Sequence, residues 1–418
     1  MIAPPNTGGI HARFSRTLWI IAVLMVLSVA INYIDRGSLS TAGPLLKREL
    51  KIDPASFGWL LSAFFWPYAL LQIPAGWLAD RYPVKWVMAA GFLVWSLATA
   101  ATGWVGSFGV LLACRLVLGV GESVAYPCYS KIIAAHFHEH QRGLANSLID
   151  AGTKFGPALG ILAGGMLMAR HGWRPVFVVL GLGSLLWLPA WFRWMPRTQV
   201  RAGEGKDEGP GFREIMSHRA LWTTCAGHFC GNYFWYFLLT WLPNYLVDER
   251  GFSMDGMSKF SAIAFCVTGV ATTITGWLAD CAIAEGVAPT RVRKMCAACG
   301  LASATVVIGV VCVDSEAGAK AFLILACVGY GVFASSHWAI PQTIAGPMAT
   351  GRWSGLQNCI ANMAGIVAPA LTGIVVKKTG HFFWAFAVAA IVVLTGAAIY
   401  AFLVGPVEPI VWPARRQK

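Results

Sequence analysis

The sequence predicts an all-α membrane protein with twelve transmembrane helices in two pseudo-symmetric six-helix bundles. Three observations carry that expectation. Hydrophobic residues make up 57% of the 418 residues and charged residues only 12%, a balance too apolar for a soluble globule. Apolar runs of about 20 residues, long enough to cross a bilayer as helices, recur along the whole chain. The pentapeptide Gly76-Trp77-Leu78-Ala79-Asp80 returns as Gly276-Trp277-Leu278-Ala279-Asp280.

Taken in order, the runs fall near 17–41, 56–79, 85–105, 108–134, 144–168, 173–195, 220–247, 257–282, 293–313, 319–346, 353–377 and 382–405. No small-residue cleavage pattern closes the first run, so it reads as a transmembrane helix rather than a removed leader. The polar stretch 197–219, rich in Gly and charge, separates two halves, 1–196 and 220–418. The repeated pentapeptide closes the second helix of each half, the pattern of parallel repeats. With the N-terminus inside, the inner loops and termini carry 18 Lys and Arg and the outer loops 10. Both termini are therefore expected in the cytoplasm. The net charge of +13 is scattered between apolar runs rather than gathered into a stripe, which excludes a nucleic-acid partner. Cys296 and Cys299 lack a second ligand pair and read as helix packing rather than zinc. No cofactor and no metal are expected.

The charges inside the runs carry the chemistry. Leu18 to Ala30 holds no charge, yet the same segment continues through Asn32-Tyr33-Ile34-Asp35-Arg36. Either the helix ends at Asn32 and the pair sits among headgroups, or both line a polar interior. An ionised group at membrane depth persists only when paired, solvated or used. Arg115 and Glu122 stand seven residues apart, two turns on one helix face and about 10 Å along the axis. Asp150 and Lys154 follow on the fifth run. They form either a structural ion-pair network or an ion path, and intramembrane carboxylates favour the second. Lys154 suits contact with an anion, or pairing with Asp150 or Glu122. Asp150 could equally lie at the cytoplasmic end and is left out of the core site. The second half lacks such carboxylates and offers His228, Asn232, Tyr233, His337, Trp338, Asn358 and Asn362. His228 reads as a packing residue. His136-Phe137-His138-Glu139-His140 reads as a solvated loop turn rather than a metal site.

Several motifs resemble a known family. Gly76-x-Leu78-Ala79-Asp80-Arg81 followed by Lys85 resembles the gating loop between helices 2 and 3 of the major facilitator superfamily, departing from it at Pro83 and Val84. Arg115-x-x-x-Gly119-x-Gly121-Glu122 resembles the superfamily's fourth-helix motif. More narrowly, Asn32-Tyr33-x-Asp35-Arg36, Arg115 with Glu122, and Asn232-Tyr233-x-x-Tyr236-x-x-x-x-Trp241-x-Pro243-x-Tyr245 resemble the anion:cation symporter family. That family includes bacterial galactonate and hexuronate permeases, sialin and the vesicular glutamate transporters. The resemblance covers nearly the whole chain. It implies proton coupling at Asp35 and Glu122, with Arg36 and Arg115 as their partners or as ligands of the anion. It also implies substrate contact at Tyr33, Tyr68, Trp338 and Asn358, and at Thr153, which stands where the family often has Gln. Lys154 and His337 join that set as candidates. Gly152-x-x-x-Gly156-Pro157-x-x-Gly160 resembles a fifth-helix antiporter motif, and close packing with a hinge would serve equally.

The expected function is secondary active transport, with an organic anion, most simply a sugar acid such as a hexonate or hexuronate, entering together with protons by alternating access. The alternatives are an aromatic or dicarboxylic acid, anion exchange, or a receptor that binds such an acid without moving it. The expected partners are the anion, protons and the lipid bilayer of an inner membrane, and the protein is expected to act as a monomer. An enzyme is not expected, because no nucleophile–base pair or phosphate loop stands out.

Overall fold

The computed structural model describes residues 16–136, 139–195 and 210–412, and no strand occurs among them. The chain opens with α1 (Arg16–Leu50), followed by α2 (Pro54–Ala63), α3 (Phe65–Leu70) and α4 (Gln72–Arg81), which are segments of one interrupted rod. Then come α5 (Val84–Thr102), α6 (Phe108–Glu122) with α7 (Ala125–His136), α8 (Glu139–His171), and α9 (Trp173–Ser184) with α10 (Trp187–Trp194). Within the expected linker lies a short helix, α11 (Phe212–Ser217), ahead of α12 (Arg219–Asp248) and α13 (Met254–Ala284). The remainder is α14 (Pro289–Ala304), α15 (Gly309–Cys312), α16 (Glu316–Ala334), α17 (Ala339–Asn362), α18 (Ala364–Thr379) and α19 (Phe383–Ala398).

Nine helices among the described residues are long and apolar enough to cross a membrane. The expected second, fifth and seventh crossings are not among them. The second is broken into three short segments. Glu139–His171 and Arg219–Asp248 are long enough, but the first carries Asp150 and Lys154, and the second is diluted by His228, Asn232 and its tyrosines.

Five of the interruptions share one cause. A proline removes the N–H that would bond the carbonyl four residues earlier, and its ring crowds that carbonyl. Pro67 and Pro74 stand four residues after Ala63 and Leu70, where α2 and α3 end. Pro127, Pro189 and Pro341 likewise stand four after Ser123, Leu185 and His337, each of which lies in a break. Pro44 leaves α1 unbroken, and the Ser40 carbonyl it frees accepts from Asn244 Nδ2 at 3.2 Å. Such repair by a neighbouring helix is how membrane helices tolerate proline.

The helices before residue 196 and those after 210 meet along three seams, where α1 packs on α12, α2 on α18 and α8 on α13. Polar bonds across the seams gather toward the end of the molecule where α1 and α12 finish. Ser40 donates to the Thr240 carbonyl, Ser62 donates to the Ile366 carbonyl at 2.9 Å, and Lys47 pairs with Asp248. Lys377 and Asp53 add a pair at 3.2 Å.

Glycines set the closest helix approaches near the middle. A Cβ on Gly152, Gly156 or Gly160 would stand 2.5 to 2.9 Å from Val29, Ala30 or Ile34 of α1. The fifth-helix glycine motif therefore seats α8 against the turn of α1 that carries Tyr33 and Asp35. At Gly119 a Cβ would meet the Phe64 carbonyl oxygen at 2.2 Å. Overpacking of this kind costs about 1–3 kcal/mol. Gly119→Ala is accordingly expected to lower the thermal unfolding midpoint of the detergent-solubilised protein. Gly109→Ala, on the same helix with nothing within 4 Å, is expected to leave it unchanged; equal midpoints for the two variants would refute the close approach.

Candidate functional site

Asp35 and Arg36 sit well inside α1, at 1% and 3% exposure. A helix ending at Asn32 is thereby excluded. The segment runs on to Leu50 because Gly37–Pro44 is buried against its neighbours. From α6, Arg115 and Glu122 reach the same interior, both buried. Arg36 Nε donates to Glu122 Oε2 at 2.7 Å, which joins the two helices through one ion pair. Asp35 lies within electrostatic reach of Glu122 and Arg115, and the Thr99 hydroxyl of α5 stands beside it.

Aromatic rings wall this cluster. The Arg36 guanidinium carbon stands 4.7 Å from the Tyr33 ring centroid, 4.8 Å from Phe64 and 4.3 Å from Tyr68. Arg115 shares the Phe64 ring at 5.2 Å. Those distances lie within cation–π range, where ring faces attract a desolvated guanidinium. Phe64 occupies the break between α2 and α3, so the proline-induced interruption places this ring under both arginines. From the other side of the seam, Tyr236 packs edge-on against Phe65 at 4.5 Å. Its hydroxyl donates to Asn362 Oδ1 at 2.5 Å, and Asn362 donates to Asn358 Oδ1 at 2.9 Å.

The cluster is rich in polar atoms without partners. Both Asp35 oxygens, Nη1 and Nη2 of Arg36, Nε of Arg115, Oε1 of Glu122 and the whole Asn32 amide are buried and unbonded. Buried polar groups are nearly always hydrogen-bonded, and each exception asks for an explanation. Here donors and acceptors converge on one region. Two parallel guanidinium N–H groups match a carboxylate or another planar oxyanion, while unbonded carboxylate oxygens can take up protons or cations.

The remaining expected residues divide into three groups. Lys154 lies 4.7 Å above the Trp235 ring and forms no ion pair with Asp150 or Glu122. The neighbouring Thr153 hydroxyl donates to the Asp150 carbonyl of its own helix at 2.7 Å. His337 is buried, with Nδ1 2.8 Å from the Ala334 carbonyl and its ring 4.6 Å from His228. His228 is also edge-on to Trp338 at 4.9 Å, so the two histidines and the tryptophan form one aromatic patch. Trp338 and Asn358 are half-buried.

Of the gating-loop residues, Gly76 has open space around its Cα, and the side chains of Asp80 and Arg81 lie outside the described residues. Lys85 is buried and donates to the Phe192 and Met195 carbonyls at 2.9 and 2.7 Å, while Trp191 donates back to the Lys85 carbonyl. Its charge thus caps the C-terminus of α10, where the helix dipole favours a cation. His138, Glu139 and His140 also have side chains outside the described residues. Sequence reasoning missed Phe64, Phe65, Thr99 and Trp235. Their aromatic and hydroxyl types are too common in apolar runs to stand out without the fold.

The sequence matches the Major Facilitator Superfamily over residues 25–358. Among its relatives are the hexuronate transporter of Bacillus subtilis (strain 168), 29% identical across 93% of this chain and 94% of that protein. Another is the probable galactarate/D-glucarate transporter GarP of Escherichia coli (strain K12), 28% identical across 96% of each chain. A third is the probable sulfoacetate transporter SauU of Cupriavidus necator, 29% identical across 93% of this chain and 94% of that one. The fold is similar to a bacterial homologue of the human lysosomal transporter Spinster in an inward-facing, unoccupied conformation. The TM-score is 0.78 at 19% identity, covering 94% of this chain and 98% of the other. The family match spans most of the chain and the fold match nearly all of it: the chain belongs to the Major Facilitator Superfamily, a multi-pass membrane transporter and not an enzyme.

Proposed function

We propose that the protein carries a sugar acid, of the hexonate, hexuronate or related class, inward together with protons. It belongs on this reading to the anion:cation symporters and works in a bacterial inner membrane as a monomer with both termini cytoplasmic. The observation that carries the proposal is the buried cluster of Asp35, Arg36, Arg115 and Glu122, whose charged atoms lie unbonded among aromatic rings. Arg36 receives the carboxylate with its two free N–H groups. Asp35 and Glu122 take up the protons, which removes the charge that would otherwise repel the anion. The transport roles named for the relatives support this substrate class.

Twelve crossings, grouped six and six about the 197–219 linker, rock against each other along the three seams. The cross-seam bonds at Ser40, Lys47 and Ser62 close the outer end in the described conformation and open in the other. Tyr33, Tyr68, Asn358 and Trp338 line the path of the hydroxyl-bearing part of the substrate, with Thr153 and His337 beside it. Gly76, Asp80 and Arg81 on α4 and Lys85 on α5 work as the gate at the inner end. The test is uptake into proteoliposomes of labelled aldonic, uronic and aldaric acids, an aromatic acid and a simple dicarboxylate. Sugar-acid uptake stimulated by an inward proton gradient is the expected result. Binding without flux, or uptake confined to the aromatic acid, would overturn it.

A further inference from the structure

Lys154 is a cation that the ion pair at Arg36 and Glu122 leaves unexplained. It is 8% exposed, and its ammonium rests on the Trp235 ring with no hydrogen bond or ion pair among the described residues. Asp150, one turn earlier, faces the Thr153 hydroxyl at 3.5 Å instead. On the opposite side, His228 and His337 lie within reach of the Lys154 charge and supply no anion. An ammonium at membrane depth without a counter-ion is costly, and such residues mark the path of a charged ligand.

Two further observations give its place in the site. Trp235, beneath Lys154, and Tyr236, beside Arg36, are consecutive residues of α12. Their side chains diverge by about 100° from Cα atoms ~3.8 Å apart, which places the two cationic heads on the order of 10 Å apart. The charges also fail to balance for a singly charged substrate. Asp150 belongs to this balance because its charge reaches Tyr33 and His337; Arg36, Arg115 and Lys154 then face Asp35, Glu122 and Asp150, so the ionised empty site is neutral. Once Asp35 and Glu122 hold protons, two positive charges remain. A dianion cancels them, whereas a monoanion leaves one charge buried.

We infer, building on the proposed transport function, that the substrate is a dianion, one acidic group seated on Arg36 and the other on Lys154. Lys154 is thus the residue that distinguishes diacids from monoacids, and the loaded site is neutral with two protons and one dianion.

The test compares uptake of a six-carbon aldaric acid with that of the aldonic acid of the same configuration, in proteoliposomes of the wild type, Lys154→Gln and Lys154→Arg. The wild type is expected to show a KM at least tenfold lower for the diacid. Lys154→Gln should raise the diacid KM at least tenfold and the monoacid KM less than threefold, while Lys154→Arg keeps the wild-type ranking. The monoacid uptake of Lys154→Gln also reports that the variant is folded. If that variant does not fold, the wild-type ranking decides the outcome alone. Equal KM values for the two acids in the wild type, or a parallel rise in both on Lys154→Gln, would overturn the dianion assignment and leave the transport function standing. Absence of flux with either acid would defeat the transport function itself.

Discussion

Glu122→Gln is expected to abolish accumulation driven by a proton gradient while the variant still exchanges the same anion across the membrane. Gln keeps the shape of Glu, and its amide oxygen can still accept from Arg36 Nε, now at 2.7 Å from Oε2. What it loses is the capacity to bind and release a proton. Coupling therefore fails before the architecture does, and the ratio of internal to external substrate at steady state falls to about one. Asp35→Asn is expected to behave alike, since neither Asp35 oxygen is committed to a structural bond. A fully buried guanidinium left beside neutral Gln also raises the demand for an anion, so affinity in counterflow should be retained or improved. The measurement is paired uptake and counterflow on the same proteoliposomes. Accumulation that survives both substitutions would place coupling elsewhere in the chain.

Arg36→Lys is expected to weaken substrate binding at least thirtyfold, or about 2 kcal/mol. A lysine keeps the charge but replaces a planar fork with a single ammonium, which loses the paired hydrogen bonds a carboxylate uses. It also loses the flat face that lies over Tyr33, Phe64 and Tyr68. Arg36→Ala is a poorer probe, because it leaves Glu122 buried and unpaired, at a cost of about 3–5 kcal/mol. Titration of the purified protein with substrate, followed by calorimetry or tryptophan fluorescence, gives the affinity directly. Wild-type affinity in Arg36→Lys would remove Arg36 from the substrate site.

Much of this arrangement was legible in the sequence because charge inside an apolar run is rare and costly. Asp35, Arg36, Arg115 and Glu122 stood out for that reason, and the fold brings all four into one buried cluster. The seven-residue spacing placed Arg115 and Glu122 on one face, as found. Less legible was the role of each neighbour. Lys85 matched a loop motif but is spent on two carbonyls at the end of α10. Thr153 matched a ligand position but bonds back into its own helix. Lys154 was open to pairing with Asp150 or Glu122 and forms neither pair. The rings around Arg36 could not be singled out, since aromatic residues fill apolar runs everywhere in this chain. Five of the helix breaks were readable in principle, because each of these lies four residues before a proline. One of them decides where Phe64 sits, and hence what both arginines rest on.

The most direct test of coupled uptake is a pH-sensitive dye sealed inside proteoliposomes, with no gradient imposed. Adding the sugar acid outside should acidify the lumen in step with its entry, and Glu122→Gln should suppress the acidification. Entry of the acid at the wild-type rate with no change in lumenal pH would contradict proton-coupled transport.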